Sequence, residues 1–237
     1  MNYLYLLLDI GSFSIPFIFS FHPKLKFYRY WKALALGTIL TMLIFIPWDI
    51  FFTVNKIWGF NEDYFIGIKI LSMPLEEWLF FILIPYACIF MHYALMELFP
   101  KMELQRKRSN FITNVLIIVF AVVAFFNYDK WYTVVNFSYA AILLLLVRAF
   151  SPEVLKKYFI TFPVMLIPFF IINGILTGSS IENQVVWYNN DENLGIRLIT
   201  IPIEDTVYAF SMILTNLVLT QFFYRKMNSI KFFYHQN

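Results

Sequence analysis

Seven apolar runs, near residues 3–21, 33–53, 76–96, 111–127, 131–149, 158–177 and 204–223, divide this chain from end to end. Each is about 17 to 22 residues long, the length an α-helix needs to cross a hydrocarbon core of about 30 Å. In lipid a backbone must satisfy its own hydrogen bonds, so runs of this length leave little but helices to fold into. Composition agrees, with 60% of the 237 residues hydrophobic and 14% charged. The chain reads as an all-α integral membrane protein with seven transmembrane helices, resident in the cell membrane.

Cytoplasmic connections hold an excess of Lys and Arg. With the N-terminus outside and the C-terminus inside, the inner loops and tail carry 14 of the 18 basic residues, and only Lys56, Lys69, Lys130 and Arg197 lie outside. The net charge of +3 is therefore a topology signal, and no basic groove for nucleic acid is implied. The first run lacks a basic leader and a small-residue cleavage site, so it is expected to be a retained span. A single cysteine, Cys88, cannot form an internal disulfide.

Two stretches repeat: GIKILSMPLEE at Gly67–Glu77 and GIRLITIPIED at Gly195–Asp205. Four of the eleven positions are identical and the other seven exchange like for like. The offset of 128 residues carries spans 1–3 onto spans 5–7. The predicted architecture is two parallel three-helix repeats, 1–100 and 131–237, joined by a linker, 101–130, that holds span 4. Four spans of offset leave both units facing the same way, unlike inverted repeats. Asn61 and Asp63 fall on Asn189 and Asp191. Pro47-Trp48-Asp49 is read as closing span 2 and Asn173 to Gly178 as closing span 6, which sets Thr177 against Asp49.

The plainer reading of the acids is that proline and carboxylates merely open helices, where acids gain about 0.3–1 kcal/mol. Location argues otherwise, because Ile66–Met73 and Leu194–Ile201 are themselves apolar. If they are helical, the seven residues from Lys69 to Glu76 sink that carboxyl roughly 10 Å below the headgroups. Ionisable groups within a span face the bundle interior or a cavity and are functional by default. Adjacent residues point about 100° apart, so one acid of each pair lines the interior. Identity at the first position favours Glu76 and Glu204 over Glu77 and Asp205. Carboxyls gathered in a poorly hydrated place share protons, which predicts a protonated acid among them near neutral pH. Phe80 and Tyr208 lie one turn after the first acids, with Trp78, Phe81 and Trp48 nearby. Such aromatic faces can stabilise a cation.

Pro-Leu-Glu-Glu with Trp-Leu-Phe-Phe after it, Pro-Ile-Glu-Asp with Thr-Val-Tyr-Ala after it, the Trp48-Asp49 pair and Asn-Gly-Ile-Leu-Thr-Gly together resemble the membrane-integral lycopene cyclases of the heterodimer type, across essentially the whole chain. In that family the two three-span halves are separate subunits or fused, and each carries a Pro-x-Glu-Glu/Asp motif. The resemblance implies Glu76, Glu77, Glu204 and Asp205 as functional acids; Trp48, Asp49, Phe80, Phe81, Asn173 and Tyr208 are expected around the substrate. It also implies a C40 carotenoid partner reached from the lipid bilayer, alongside other enzymes of carotenoid synthesis. The reaction is an acid-catalysed isomerisation in which an alkene is protonated, a ring closes and a proton leaves. No metal is needed, and without a G-x-G-x-x-G turn no bound dinucleotide is expected.

Four other functions match the sequence less well. An intramembrane Glu-Glu protease would want an Arg where Phe81 stands, with histidines on several spans; only His92 lies in one, His22 being at a loop edge and His235 in the tail. A Mg²⁺-dependent prenyltransferase would need Asp-rich loops, which Asn189–Asn193 and Asn61–Asp63 imitate poorly. A proton- or cation-coupled carrier would use the acids to bind its ion but needs a hydrophilic path. A retinal photoreceptor would need a lysine in span 7.

Overall fold

The computed structural model describes residues 3–234, with side chains through Ser229. His235 lies outside the described residues. Seven α-helices form within them: α1 (Leu4–Phe19), α2 (Trp31–Val54), α3 (Leu75–Leu98), α4 (Arg106–Phe126), α5 (Trp131–Phe150), α6 (Pro152–Leu176) and α7 (Ile203–Tyr234). Six of these are long and apolar enough to cross a membrane. The remaining one, α1, is apolar but only 16 residues long, a little under the usual spanning range of about 17–25.

Three two-residue-to-three-residue pairings supply all the strand among the described residues: β1 (Trp58–Phe60), β2 (Lys69–Ile70), β3 (Met73–Pro74), β4 (Val186–Tyr188), β5 (Arg197–Leu198) and β6 (Ile201–Pro202). They recur at the sequence offset of 128, as do the 3₁₀ turns Glu62–Tyr64 and Asn190–Glu192 and the starts of α3 and α7. β1 and β4 pair with each other, antiparallel, with Gly59 opposite Trp187. A Cβ on Gly59 would stand 2.3 Å from the Trp187 ring, so glycine permits this close approach. The ribbon ties the two loop regions together over one end of the helices.

Each motif stretch folds as a hairpin before its helix, β2 on β3 and β5 on β6. This corrects the expectation of helix from Ile66 to Met73. Leu71 and Ser72 both take positive φ, the arrangement that turns a two-residue hairpin, and the chain doubles back so that Lys69 stands opposite Pro74. The depth estimate built on a continuous helix does not hold. Pro74 occupies the N-cap of α3, a position where its missing N–H costs nothing.

The expected match of Thr177 with Asp49 does not hold. Asp49 lies inside α2, which continues to Val54, whereas Thr177 lies past the end of α6. Residues 55–57 connect α2 to β1, but 177–185 connect α6 to β4. The longer connection breaks the offset of 128 there, so Thr177 is no counterpart of Asp49.

The largest apolar core joins α3, α4, α5, α6 and α7 through Ile89, Phe120, Leu144, Tyr158, Phe210 and Leu217. α2 and α7 approach closely at Gly37, where a Cβ would meet the Thr220 hydroxyl at 2.9 Å and the Thr220 backbone nitrogen at 3.0 Å. Small residues and polar links are what hold helices together in lipid, and beside Gly37 the Asn216 amide donates to the Thr38 hydroxyl at 3.0 Å. His92 of α3 is buried and bonded to Thr161 of α6 at 2.8 Å, a packing role as expected. Large apolar side chains such as Leu43, Ile118, Phe125 and Ile167 remain exposed, as a lipid-facing surface requires.

Candidate active site

The first acid of each motif turns back on its own loop. Glu76 accepts from the Ile66 backbone N–H and Glu204 from the Leu194 N–H, both at 2.8 Å and both ten residues upstream. Glu204 also accepts from the Thr133 hydroxyl at 2.7 Å. Both carboxyls are fully buried, and neither lines the cavity described next. Glu76 and Glu204 are thus inside the bundle but, against the expectation that they form the facing pair, do not line the cavity. They pin each hairpin to the helix it precedes, because a buried N–H must find an acceptor.

One position on, about 100° round the helix, Glu77 and Asp205 both line a cavity of about 490 Å³ bounded by α1, α3, α6, α7 and the β1–β4 ribbon. Asp49 of α2 lines it too, as do Phe80, Asn173 and Tyr208. Phe81 and Trp48 do not; Phe81 is completely buried in a neighbouring cluster, and Trp48 packs there against Phe45 and Tyr139. Four of the six side chains expected around a substrate thus reach the cavity and two stand behind it.

Hydrogen bonding divides the carboxyls. Glu77 accepts one short bond from the Tyr5 hydroxyl of α1, and Asp49 accepts from Tyr208 at 3.0 Å. Asp205 accepts three: from Tyr132 of α5 at 2.5 Å, from the Asn173 amide at 2.8 Å and from Tyr188 of β4 at 2.8 Å. Three donors aimed at one carboxyl suit its acceptor-only, ionised form. Burial first, and then the neighbouring Asp205, holds the Tyr188 hydroxyl well above the usual tyrosine range, so it keeps its proton and donates.

Tyr5 and Tyr132 escape the sequence reading because tyrosine at the edge of an apolar run looks like an interface anchor, and Tyr188 because it lies in the loop between two runs. A signal exists nonetheless: Tyr5 and Tyr132 sit one residue from the offset of 128 and make the same bond to the second acid of their own motifs. Asp9 is also missed. It is the lone acidic residue of the first apolar run, completely buried, with Glu77 and Glu76 as acidic neighbours and neither oxygen hydrogen-bonded.

Aromatic rings complete this end of the cavity. Trp58 stands 5.0 Å from Tyr132 and 6.1 Å from Tyr208, centroid to centroid, and with Phe60 and Phe80 it gives the carboxyls an apolar frame. The acid-rich loops behind are spent on themselves: Asn61 and Asn189 each accept from the backbone two residues on, at 3.1 Å, and Glu192 accepts from the Trp131 N–H at 3.0 Å.

Against known proteins, the family model described as lycopene cyclase matches residues 2–96 and again residues 129–223. A bifunctional lycopene cyclase/phytoene synthase from Aspergillus niger is 27% identical over 84 residues, 33% of this chain and 14% of that protein. The chain thus matches only a small part of that relative's length. No solved structure matches.

Proposed function

The chain belongs to the lycopene cyclase family, and we propose that it closes the acyclic end groups of lycopene into β-rings by acid catalysis, as a non-redox isomerase of the cell membrane. The observation that carries this reading is the cavity itself, hydrocarbon along most of its lining with three carboxyls and four tyrosines gathered at one end.

Glu77 is the proton donor in this reading. It faces the cavity and accepts a single hydrogen bond, which leaves a carboxyl oxygen to present a proton to the terminal alkene. Protonation leaves a tertiary cation, the nearby internal double bond attacks it to form the six-membered ring, and the positive charge moves to the ring carbon beside the new bond. Asp205, held by three donors, supplies the negative charge facing this cation and takes the proton whose loss creates the ring double bond. One proton enters and one leaves, so no oxidant or reductant is consumed. The ring faces of Trp58, Phe80 and Tyr208 add cation stabilisation without offering a nucleophile. Asp49 orients Tyr208 through their hydrogen bond.

The finer architecture belongs to the same proposal: two three-helix units oriented alike, joined by α4, with the acids toward the outer face. The recurrence of strands and helix starts at 128 residues and the basic inner loops support it. Each unit then brings the second acid of its motif to a shared site, and the first unit adds Asp49.

The test is expression in a bacterium that accumulates lycopene, followed by separation of its carotenoids. Ring-bearing products are expected. Unchanged lycopene alongside well-inserted protein would defeat the reading, and a proton-coupled carrier would take its place.

A further inference from the structure

The cavity is longer than an end group. On α3 its lining includes Glu77, Ile84, Cys88, Met91, Leu95 and Leu98, a spacing of seven, four, three, four and three that keeps one helix face. Twenty-one residues at 1.5 Å each make this stripe about 32 Å long, close to the whole hydrocarbon thickness of about 30 Å. Every carboxyl in the lining (Asp49, Glu77 and Asp205) belongs to the Glu77 end. Toward Leu98 the walls thin out: α7 contributes only as far as Ile213 and α1 only as far as Pro16, and Leu98 itself is 47% exposed.

We infer that the polyene lies along α3 across the membrane, one end group among the carboxyls and the other in the open groove near Leu98, so that each binding event closes one ring only. This rests on the lycopene reading above. An extended C40 chain is comparable in length to the stripe, and two reactive ends cannot both reach carboxyls that sit at one end of it. The second ring requires the monocyclic product to leave into lipid, turn end for end and bind again. Because the groove is open at Leu98, the distal end group is not read, and a ring already formed there is tolerated.

Two measurements on the full chain in membranes test this. In the first, labelled lycopene is supplied briefly and then chased with excess unlabelled lycopene. Free monocyclic carotene in molar excess over the enzyme is expected, with label in the bicyclic product sharply diluted by the chase. Label passing undiluted from lycopene to the bicyclic product would overturn the inference. In the second, Ala87→Trp fills the groove about 15 Å from Glu77 without touching an acid, and Ile82→Trp places the same bulk on a face of α3 outside the lining. At equal amounts of folded protein, Ala87→Trp should lower cyclisation at least tenfold and Ile82→Trp should not. Equal activity of the two would show that the polyene leaves the site sideways instead. No ring product from the native chain would defeat the lycopene reading itself, a result distinct from either of these.

Discussion

Glu77 and Asp205 end the same eleven-residue stretch in the two halves of the chain, yet Glu77 accepts one hydrogen bond and Asp205 three. The residues before them behave alike, since Glu76 and Glu204 each bind a backbone N–H ten positions upstream. The first acid of each stretch keeps the same loop anchor, while the hold on the second differs. The helices around them diverge in the same sense. On one side α2 is sealed against α7 by Gly37, Thr38, Asn216 and Thr220; on the other, α3 and α6 face each other across the cavity and are joined beside it by His92 and Thr161. An open seam in which Glu77 and Asp49 are lightly held and Asp205 firmly held suits the acid and base of the proposed reaction.

The sharpest way to break this comparison is to neutralise the cavity-facing acids. Glu77→Gln and Asp205→Asn should each lower cyclisation by about 10²-fold or more, the range for loss of a general acid or base. Glu76→Gln, which keeps an oxygen for the Ile66 N–H, should retain most activity. Carotenoid ratios at matched protein levels decide it, and inactivity of Glu76→Gln alone would return the acid role to the first position.

Truncation of the structural acids should separate the halves in stability. Glu204→Ala strands the Leu194 N–H and the Thr133 hydroxyl, whereas Glu76→Ala strands only the Ile66 N–H. At about 1–3 kcal/mol for each buried group left unpaired, Glu204→Ala should melt at the lower temperature when the two are compared in the same detergent.

Helix positions were legible in the sequence because spanning length is dictated by the bilayer, and α2 through α5 begin and end within about five residues of the apolar runs. The hairpins were not, because Ile68, Ile70, Leu71 and Met73 are as apolar as a span and only backbone geometry shows the turn at Leu71-Ser72. The facing acid was misread for a related reason. Identity between the copies marks the residue with the stricter constraint, and here that constraint is a loop anchor at Glu76 and Glu204. Phe80 and Tyr208 were legible from their spacing after the first acids and Asp49 and Asn173 from the flanking motifs, while Trp48 and Phe81 came with them and pack one layer back. Asp9 was visible as a lone charge among apolar neighbours, but its closeness to Glu77 depends on the packing of α1 on α3.

A smaller effect distinguishes the donors. Tyr188→Phe removes one of three bonds to Asp205 and leaves Tyr132 and Asn173 in place. Tyr5→Phe removes the hydrogen bond seen on Glu77. A hydrogen bond to a charged group contributes about 1.5–3 kcal/mol, but a carboxylate with two remaining donors loses less than its full share. About a tenfold drop is expected for Tyr188→Phe. Tyr5→Phe should change the pH profile of the reaction, because it alters the environment of the group that gives the proton. Identical profiles for native and Tyr5→Phe protein would argue against Glu77 as the donor.

The smallest difference lies at the two basic residues that occupy the same position of the repeat. Lys69 pairs with Glu62 at the surface and lies 5.5 Å from the Phe65 ring, which takes no part in lining the cavity. That hydrogen bond holds the exposed Glu62 carboxyl below the usual range, and solvent screening makes such a pair worth little. Arg197 is better placed to matter. It donates to the Thr200 carbonyl and to Asn190, both at 2.8 Å, and its guanidinium stands 5.7 Å from the centre of the Tyr188 ring, whose hydroxyl reaches Asp205. Arg197→Ala should therefore slow cyclisation about two- to fivefold, the value of one exposed cation–π contact, by loosening Tyr188. Lys69→Ala should leave the rate unchanged. The pair is informative as a double variant: in a Tyr188→Phe background, where the bond to Asp205 is already gone, Arg197→Ala should cost nothing further. An undiminished loss there would mean that Arg197 acts through the hairpin and not through the tyrosine, and Tyr188 would then hold Asp205 without help from the cation.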